Sequence, residues 1–193
     1  MERHINNILV PIDFSDKSNS ALEQSFILAK LIDLEITLLH VIQDSGLNFF
    51  SSLFSEDQNK KHKEEYEAKQ RIKLQQIADE KSKKSGIIIH TMLAKGRTYS
   101  KILEIAETID AKYIVMANSS TEVNHEKMIL GTNSSRVVRE AKCPVLTVNC
   151  VDGSRVRNSI KKIVLPLDIT KDTRQKVTKA IEFAKNYNSV IKL

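Results

Sequence analysis

The sequence predicts an α/β fold, in which a parallel sheet carries helices on both faces. Short aliphatic runs alternate with longer segments of helical periodicity through the first 150 residues. The runs are apolar almost throughout, as in residues 8–12 and 113–117, which is typical of strands buried on both faces. The connections are long enough for crossover helices, and right-handed crossovers place such helices on the two faces of the sheet.

Five aliphatic runs are predicted as strands, because they are short, rich in branched side chains and bounded by polar residues. They are residues 8–12, residues 36–42, a run that begins at residue 87, residues 113–117 and residues 144–148. Ligands of such sheets bind beyond the carboxyl ends of the strands, so the residues that follow each strand are the functional candidates.

Four segments between these strands are predicted as helices. The first begins near residue 16, and the others span about residues 57–85, 100–109 and 132–141. In the first, Ala21, Leu22 and Phe26 begin an apolar stripe at helical spacing, and Asp16 or Ser18 is expected to cap its N-terminus. The second is long and charged, with acidic residues interleaved among lysines as on a solvated helix face.

Composition excludes several classes of protein. The 193 residues are 41% hydrophobic, 28% charged and 5% aromatic, which suits a globular fold with an aliphatic core and excludes disorder and collagen. No apolar run approaches the roughly 18 residues of a membrane helix, and residues 1–7 are too polar to begin a secretory signal. Cys143 and Cys150 cannot form a disulfide framework and lack a zinc pattern. Two reduced thiols, a cytoplasmic location and no membrane partner are therefore expected.

The net charge of +6 raises the question of nucleic-acid binding. Residues 154–193 carry a balance of +7, whereas residues 1–153 carry −1. Because salt-dependent binding to phosphates needs a positive surface, no nucleic-acid partner is predicted for the main part of the chain.

An internal repeat organises the chain. Asn7-Ile-Leu-Val-Pro-Ile-Asp13 reappears as Lys162-Ile-Val-Leu-Pro-Leu-Asp168, shifted by 155 positions, and the match continues without a gap to the last residue. The sequence therefore predicts one domain over residues 1–150, a polar linker over residues 151–159, and the incomplete start of a second domain over residues 160–193.

One strand and one helix are predicted within this second start, at residues 163–167 and at about residues 172–187. Such a pair lacks a sheet on which to bury its apolar side chains, because a strand and a helix alone bury too little surface to offset the entropy of ordering them. The chain is accordingly expected to be a truncation of a longer natural protein.

Two groups of polar residues follow predicted strands. Asp13, after the first strand, has a carboxylate that accepts hydrogen bonds either from a ligand or from the start of the next helix, and both interpretations stay open. After the fourth strand, a glycine and three polar residues stand at a predicted helix start, namely Gly131, Thr132, Asn133 and Ser134. Free N–H groups and the helix dipole make this an anion site, or else the segment is an ordinary capped helix.

The sequence lacks the patterns of known catalytic sites. The five histidines show no metal-ligand spacing, no serine lies in a Gly-x-Ser-x-Gly elbow, and no lysine follows a Gly-rich phosphate loop. A phosphoacceptor pocket would need an aspartate at the end of the third strand, where Met92-Leu-Ala94 stands. His40 lies within a strand and is expected to be a core or rim residue. No enzymatic activity is predicted.

Several motifs, taken together, resemble the universal stress protein family over residues 5–149. They are Ile8-Leu-Val-Pro-Ile-Asp13, Leu38-Leu-His-Val-Ile42, Gly96, Tyr113-Ile-Val-Met116, Gly131-Thr132 and Ala141-Lys-Cys-Pro-Val-Leu146. The resemblance implies a Rossmann-like, five-stranded parallel sheet of the adenine-nucleotide-binding type with strand order 3-2-1-4-5. It also implies dimers or tandem pairs, and a role in stress survival and signalling.

Members of that family that bind ATP resemble one another in a Gly-x2-Gly-x9-Gly-(Ser/Thr) segment after the fourth strand. Here the first two glycine places hold Asn118 and Thr121, and only Gly131 with Thr132 matches. Asparagine adopts the left-handed conformation at small cost, whereas a β-branched threonine does so only with strain. The side of the pocket that would contact adenosine is retained, and by resemblance its residues are Pro11, Asp13, Val41 and Met116. ATP is therefore a candidate cofactor with half of its pocket present.

The leading hypothesis is a tandem-type universal stress protein whose first domain acts as a regulatory or interaction module, with weak or absent ATP binding. One alternative is an ATP-binding switch, in which the hydroxyls of Ser119, Ser120 and Thr121 replace glycine contacts, and another is a nucleotide hydrolase. The expected partner is a second copy, or the second domain as a pseudo-dimer, bound through the apolar fifth strand because an unpaired edge recruits a partner.

Overall fold

The computed structural model describes residues 6–43, 56–118, 131–149, 160–166 and 173–192. The chain divides into two compact units, Met1–Ser154 and Arg155–Leu193. The predicted linker over residues 151–159 lies outside the described residues, so its prediction stays untested.

The first unit is built on a five-stranded sheet. Its strands are β1 (Asn7–Pro11), β2 (Glu35–Ile42), β3 (Ile89–Lys95), β4 (Tyr113–Ala117) and β5 (Val145–Val148). Every neighbouring pair is parallel, and the order is β3-β2-β1-β4-β5, which confirms the predicted fold class and strand order. β1 therefore lies at the centre, where the order reverses, and the carboxyl ends of β1, β2 and β4 lie side by side.

Four helices connect these strands. They are α1 (Asp16–Ile32), α2 (Glu56–Ser85), α3 (Thr98–Thr108) and α4 (Thr132–Glu140). α1 and α2 pack on one face of the sheet and are joined by an ion pair between Lys81 Nζ and Glu23 Oε1 at 2.5 Å. α3 and α4 pack on the other face, over Leu9, Leu39 and Ile114. The alternation of side chains along each strand thus supplies two cores, one under each pair of helices.

The N-cap of α1 and the start of β3 differ from the sequence-based expectation. The N-cap of α1 is Ser15, whose Oγ accepts a hydrogen bond from Ser18 N at 3.2 Å, so the expected cap at Asp16 or Ser18 was wrong. Asp16 is instead the first helical residue, where its charge favours the helix dipole. β3 begins at Ile89 rather than at residue 87, because Gly86, with φ of 74°, ends α2 and two residues are needed to enter the sheet.

The second unit is a small strand-helix-strand motif. It contains β6 (Lys162–Val164), α5 (Thr173–Tyr187) and β7 (Val190–Lys192), with β6 and β7 parallel. Lys162 pairs with Val190 across 28 residues, the same separation as between Asn7 and Glu35 in the first unit. Sequence reasoning predicted one strand and one helix here, and β7 is an additional strand.

The same backbone geometry recurs at the end of the helix in both units. Asp33, after α1, has φ of 52°, and Asn188, after α5, has φ of 50°. These are the positions that the 155-residue shift brings together, and both hold a short polar residue that tolerates the left-handed conformation. The repeat in the sequence is therefore also a repeat of local structure.

The two units differ in what covers their central strand. Leu9 in β1 is fully buried beneath α3 and α4. Its repeat counterpart Val164 in β6 is 74% exposed, and Val190 in β7 is 62% exposed. The residues described between 160 and 192 contain no counterpart of α3 and α4, which leaves this face of the small sheet open.

This difference predicts unequal effects of one substitution in the two units. Val10→Ala should lower the free energy of unfolding by about 2 kcal/mol, because it empties a fully buried site. Val164→Ala should lower it by less than about 0.5 kcal/mol, because its side chain already meets solvent. Urea titration followed by circular dichroism measures both. Equal losses would show that the β6 face is covered in solution.

Candidate functional site

The carboxyl edge of the sheet brings together three of the residues predicted to contact adenosine. Leu9 of β1 pairs with Ile114 of β4, so two residues further along Pro11 lies beside Met116. Pro11 also pairs with Leu39 of β2, and Val41 lies two residues beyond Leu39. By strand alternation Pro11, Val41 and Met116 lie on the same face of the sheet. Met116 is buried in the core beneath α3 and α4, and Val41 packs against that core while staying half-buried. The edge therefore offers an apolar floor with Val41 at its rim.

Asp13 forms a tight turn between β1 and α1. Its Oδ1 accepts hydrogen bonds from Ser15 N at 3.0 Å and from Ser15 Oγ at 2.6 Å. Since Ser15 is the N-cap of α1, Asp13 holds the capping residue rather than capping the helix itself. Both hydrogen bonds reach Oδ1 and Asp13 is exposed at the edge of the sheet, so its carboxylate can also accept from a ligand, whereas the interpretation that Asp13 caps the helix was wrong.

The Asp13 carboxyl group is held in its charged form. Partial burial alone would raise its pKa, but hydrogen bonds from Ser15 and Ser18 outweigh that effect and lower the pKa below its ordinary value. The group is therefore an anion at neutral pH. An anionic oxygen favours an N–H donor, such as an exocyclic amino group, and repels phosphate.

Phe14 fixes the conformation of this turn, and sequence reasoning missed it. Its φ is 65°, a left-handed conformation that costs a phenylalanine roughly 1–2 kcal/mol. The Phe14 ring contacts the His40 ring at a centroid distance of 4.4 Å, and Lys73 Nζ lies 4.3 Å from the Phe14 centroid. These contacts on an aromatic ring offset part of the backbone strain. The sequence signal that could have identified Phe14 as a turn residue is a phenylalanine between two polar residues at the end of a strand.

His40 is a rim residue of the sheet. Its Nδ1 lies 2.8 Å from Ile12 O, and because a carbonyl oxygen only accepts, Nδ1 carries the hydrogen. The imidazole therefore ties β2 to the last residue before the Asp13 turn. This agrees with the expected role of His40 as a core or rim residue.

The start of α4 is fastened to the end of β4. Asn118, 6% exposed, accepts a hydrogen bond at Oδ1 from Gly131 N at 3.3 Å. Ser134, 1% exposed, donates from Oγ to Ala117 O at 3.1 Å. The Ser134 hydroxyl is thus used within the fold, while Thr132 is exposed and Asn133 half-buried. The structure brings all four predicted residues of the Gly131 segment to the carboxyl edge.

Asn118 does not use the left-handed conformation. Among the described residues, positive φ values at residues other than glycine occur only at Phe14, Asp33, Asp110 and Asn188. The left-handed strain that a residue other than glycine would bear is therefore absent at Asn118, and its difference from glycine lies in the side chain. Thr121, with Ser119 and Ser120, falls outside the described residues, so the strain predicted at Thr121 stays a prediction.

Other chemistry-bearing groups do not assemble at this edge. In the described part of the chain, no three His, Cys, Asp or Glu side chains come together as metal ligands. Burial raises the pKa of the half-buried Cys143 thiol, which keeps it protonated at neutral pH. None of the helices that the structure describes is long and apolar enough to cross a membrane.

The sheet order and the residues at its carboxyl edge define a Rossmann-like α/β protein of the kind that binds ligands where strand order reverses. A model of the universal stress protein family matches residues 4–149, and the chain belongs to that family. The resemblance inferred from the motifs is therefore confirmed.

Curated relatives agree with this assignment. A universal stress protein of Methanocaldococcus jannaschii is 32% identical over 156 residues, which are 76% of this chain and 84% of the relative. Universal stress protein YxiE of Bacillus subtilis is 29% identical over 151 residues, which are 74% of this chain and 98% of the relative.

Solved structures show the same fold. The match to a universal stress protein from Archaeoglobus fulgidus covers 97% of this chain and 66% of that chain, with a TM-score of 0.68 and 21% identity. An Arabidopsis thaliana family member with AMP bound covers 76% of this chain and 93% of its own, with a TM-score of 0.54 and 17% identity. A universal stress protein in complex with cAMP covers 75% and 97%, with a TM-score of 0.51 and 19% identity.

The turn at Asp13 yields a testable pH effect. Because the pKa of Asp13 is lowered by folding, its hydrogen bonds stabilise the protein above the ordinary aspartate pKa, and this stability is lost as pH falls through the lowered pKa. Ser15→Ala removes one donor and the helix cap. It should raise the pKa of Asp13, cost about 1 kcal/mol at neutral pH, and reduce the loss of stability on acidification.

NMR titration of the Asp13 carboxyl carbon and urea unfolding at several pH values measure these effects. Ser20→Ala is the matched control, because Ser20 Oγ donates to Asp16 O within α1 and does not contact Asp13. An unchanged Asp13 pKa in Ser15→Ala would contradict the assigned role of the Ser15 hydroxyl.

Proposed function

We propose that this chain is a regulatory or interaction module of the stress response that binds adenine nucleotide weakly. The observation that carries the proposal is the division of the carboxyl edge into two unlike halves. One half holds the residues expected to contact adenosine, whereas the other half holds Asn118 at the first glycine place of the phosphate segment. In the sequence, Thr121 stands at the second glycine place.

The adenosine half supports recognition of an adenine base. Val41 offers a half-buried apolar surface beside Pro11 and Met116, and Asp13 presents an anionic oxygen suited to an amino N–H. The relatives solved with AMP and with cAMP share the sheet that carries these positions. Binding of adenine nucleotide by this chain follows from the proposal.

The phosphate half supports weak binding of ATP. Glycines in such a segment let the backbone N–H groups approach phosphate oxygens closely. Asn118 instead places a side chain against Gly131, and the Ser134 hydroxyl is already bonded to Ala117 O.

The second candidate is the ATP-binding switch in which the hydroxyls of Ser119, Ser120 and Thr121 replace glycine contacts. The exposed Thr132 at the start of α4 favours it, because it adds a hydroxyl to the phosphate segment.

A catalytic function is not part of the proposal. Hydrolysis needs a positioned base or metal beside the phosphate chain. The described residues bring Asp13 to the edge but no second titratable group that contacts it, and they form no metal-ligand cluster. We therefore propose a module that acts by binding, in the cytoplasm, where reduced thiols are expected.

The proposed protein partner is a second copy of this chain or a second domain of the same kind. β5 pairs with β4 and is the last strand in the order of the described sheet. All four residues of β5 are half-buried, and Val145, Leu146 and Val148 are apolar. An edge of this composition favours pairing with another strand.

Weak nucleotide binding is tested by calorimetric titration. The purified chain should bind ATP with a Kd above about 1 µM, which corresponds to a binding free energy weaker than about 8.2 kcal/mol. Mass spectrometry of the undenatured protein should accordingly find no stoichiometric ATP carried through purification. Submicromolar ATP binding would contradict the proposal, and Asn118→Gly combined with Thr121→Gly should improve the affinity.

Association through β5 is tested by light scattering. Val148→Lys places a charge on the edge strand and should shift a dimer toward monomer at a given concentration. Ile88→Lys is the control, because Ile88 is exposed next to β3 on the opposite edge of the sheet. A wild-type chain that is monomeric at high concentration, with no effect of Val148→Lys, would remove β5 as the interface.

A further inference from the structure

Asn118 is a buried residue at the point where the two halves of the edge meet. It directly follows β4, its N donates to Val148 O at 2.8 Å, and only 6% of its surface is exposed. The backbone bond to the end of β5 fixes the position of the residue. The carboxamide is therefore held inside the fold and does not move freely into solvent.

The carboxamide oxygen of Asn118 accepts a hydrogen bond from an N–H group at the start of α4. Gly131 is the N-cap of this nine-residue helix, no side chain caps the helix from that position, and Gly131 N donates to Asn118 Oδ1. N–H groups at a helix start that no side chain occupies can bind water or an anion oxygen. Asn118 Oδ1 thus takes the place that a phosphate oxygen of a ligand would take as the acceptor for this N–H.

A second contact prevents the helix start from moving away. Ser134 Oγ donates to Ala117 O, so the first turn of α4 is tied to the residue just before Asn118. Arg136, in the second turn, packs its guanidinium 4.6 Å from the centre of the Tyr99 ring on α3. The N-terminal half of α4 is therefore fixed against both β4 and α3.

Displacing Asn118 would be costly for a ligand. A phosphate oxygen that took the Gly131 N–H would leave a buried carboxamide oxygen without its donor, which reduces binding by a factor of about ten. Adenosine has no phosphate and does not compete for this N–H. The Asp13 carboxylate, charged and exposed at the same edge, is a suitable acceptor for its amino group.

We propose that Asn118 is a specificity-determining residue that makes the crevice select adenosine over ATP. This inference rests on the proposed function, since it assumes that the edge binds an adenine ligand. The basis of selection is the Asn118 side chain and not the backbone, because the φ of Asn118 is not in the left-handed region.

The test is calorimetric titration of adenosine and of ATP into the wild-type chain and three variants. Wild type should bind adenosine at least as tightly as ATP. Asn118→Gly and Asn118→Ala both free the Gly131 N–H, and each should tighten ATP binding about tenfold, or about 1.4 kcal/mol, while adenosine affinity changes less than about threefold. Asn188→Gly makes the same chemical change at an exposed turn of the second unit and should leave both affinities unchanged.

The outcomes separate the inference from the proposed function. Wild-type chain that binds ATP more tightly than adenosine overturns the selection by Asn118 but leaves adenine binding intact. A gain in ATP affinity with Gly but not with Ala overturns the side-chain explanation, because it assigns the effect to the backbone. Absence of binding of either ligand to wild type and to every variant overturns both. Asn118→Ala does not add the backbone flexibility of glycine, so it keeps the test valid if Asn118→Gly fails to fold. Circular dichroism checks the folding of each variant.

Discussion

The burial of β1 on both faces is the constraint on which the rest of the structure depends. Ile8, Leu9 and Val10 are fully buried, with two helices packed on each face of the sheet. Each such aliphatic side chain contributes roughly 1.5–3 kcal/mol by leaving water. Because β1 pairs with β2 and β4, its position also fixes the edge at which Asp13, Val41 and Asn118 meet. The ligand crevice is thus a consequence of the core.

The second unit shows how the repeated strand-helix-strand segment folds when, among its described residues, a helix packs on only one face of the sheet. β6 and β7 keep the 28-residue register of β1 and β2, and Asn188 keeps the left-handed turn of Asp33. Local sequence therefore suffices to specify the strand-helix-strand geometry. The exposure of Val164 shows that local sequence alone does not supply a second covered face. Stability of this motif depends on whatever packs there.

Much of the fold could be predicted from the sequence, because buried parallel strands are apolar runs that need no partner to be recognised. The strand order followed from the family motifs, since alternation alone does not fix it. The N-cap at Ser15 was missed because Asp13, Ser15, Asp16 and Ser18 all have capping side chains, and the turn at Phe14 decides which of them reaches the helix. β7 was missed because three residues give too short a pattern.

The candidate site was predicted residue by residue but not in its contacts. Asn118 was identified as a departure from glycine, and the expected consequence was conformational. The structure shows that its side chain instead accepts a hydrogen bond from Gly131, thirteen residues away. A contact of this kind depends on how β4 and α4 are placed in space, which spacing along the chain does not reveal. The Ser134 hydroxyl, bonded to Ala117 O, is hidden from sequence reasoning for the same reason.

The central claim is that the adenosine half of the edge is open to a ligand, whereas in the phosphate half Asn118 already accepts a hydrogen bond from the Gly131 N–H. Amide chemical shifts of the wild-type chain, titrated with ATP, test it most directly. The amides of Asp13 and Val41 should shift with ATP concentration, whereas the amide of Gly131 should stay in place because Asn118 already occupies it. A shift that is largest at Gly131 and Thr132, with none at Asp13 and Val41, would contradict the account.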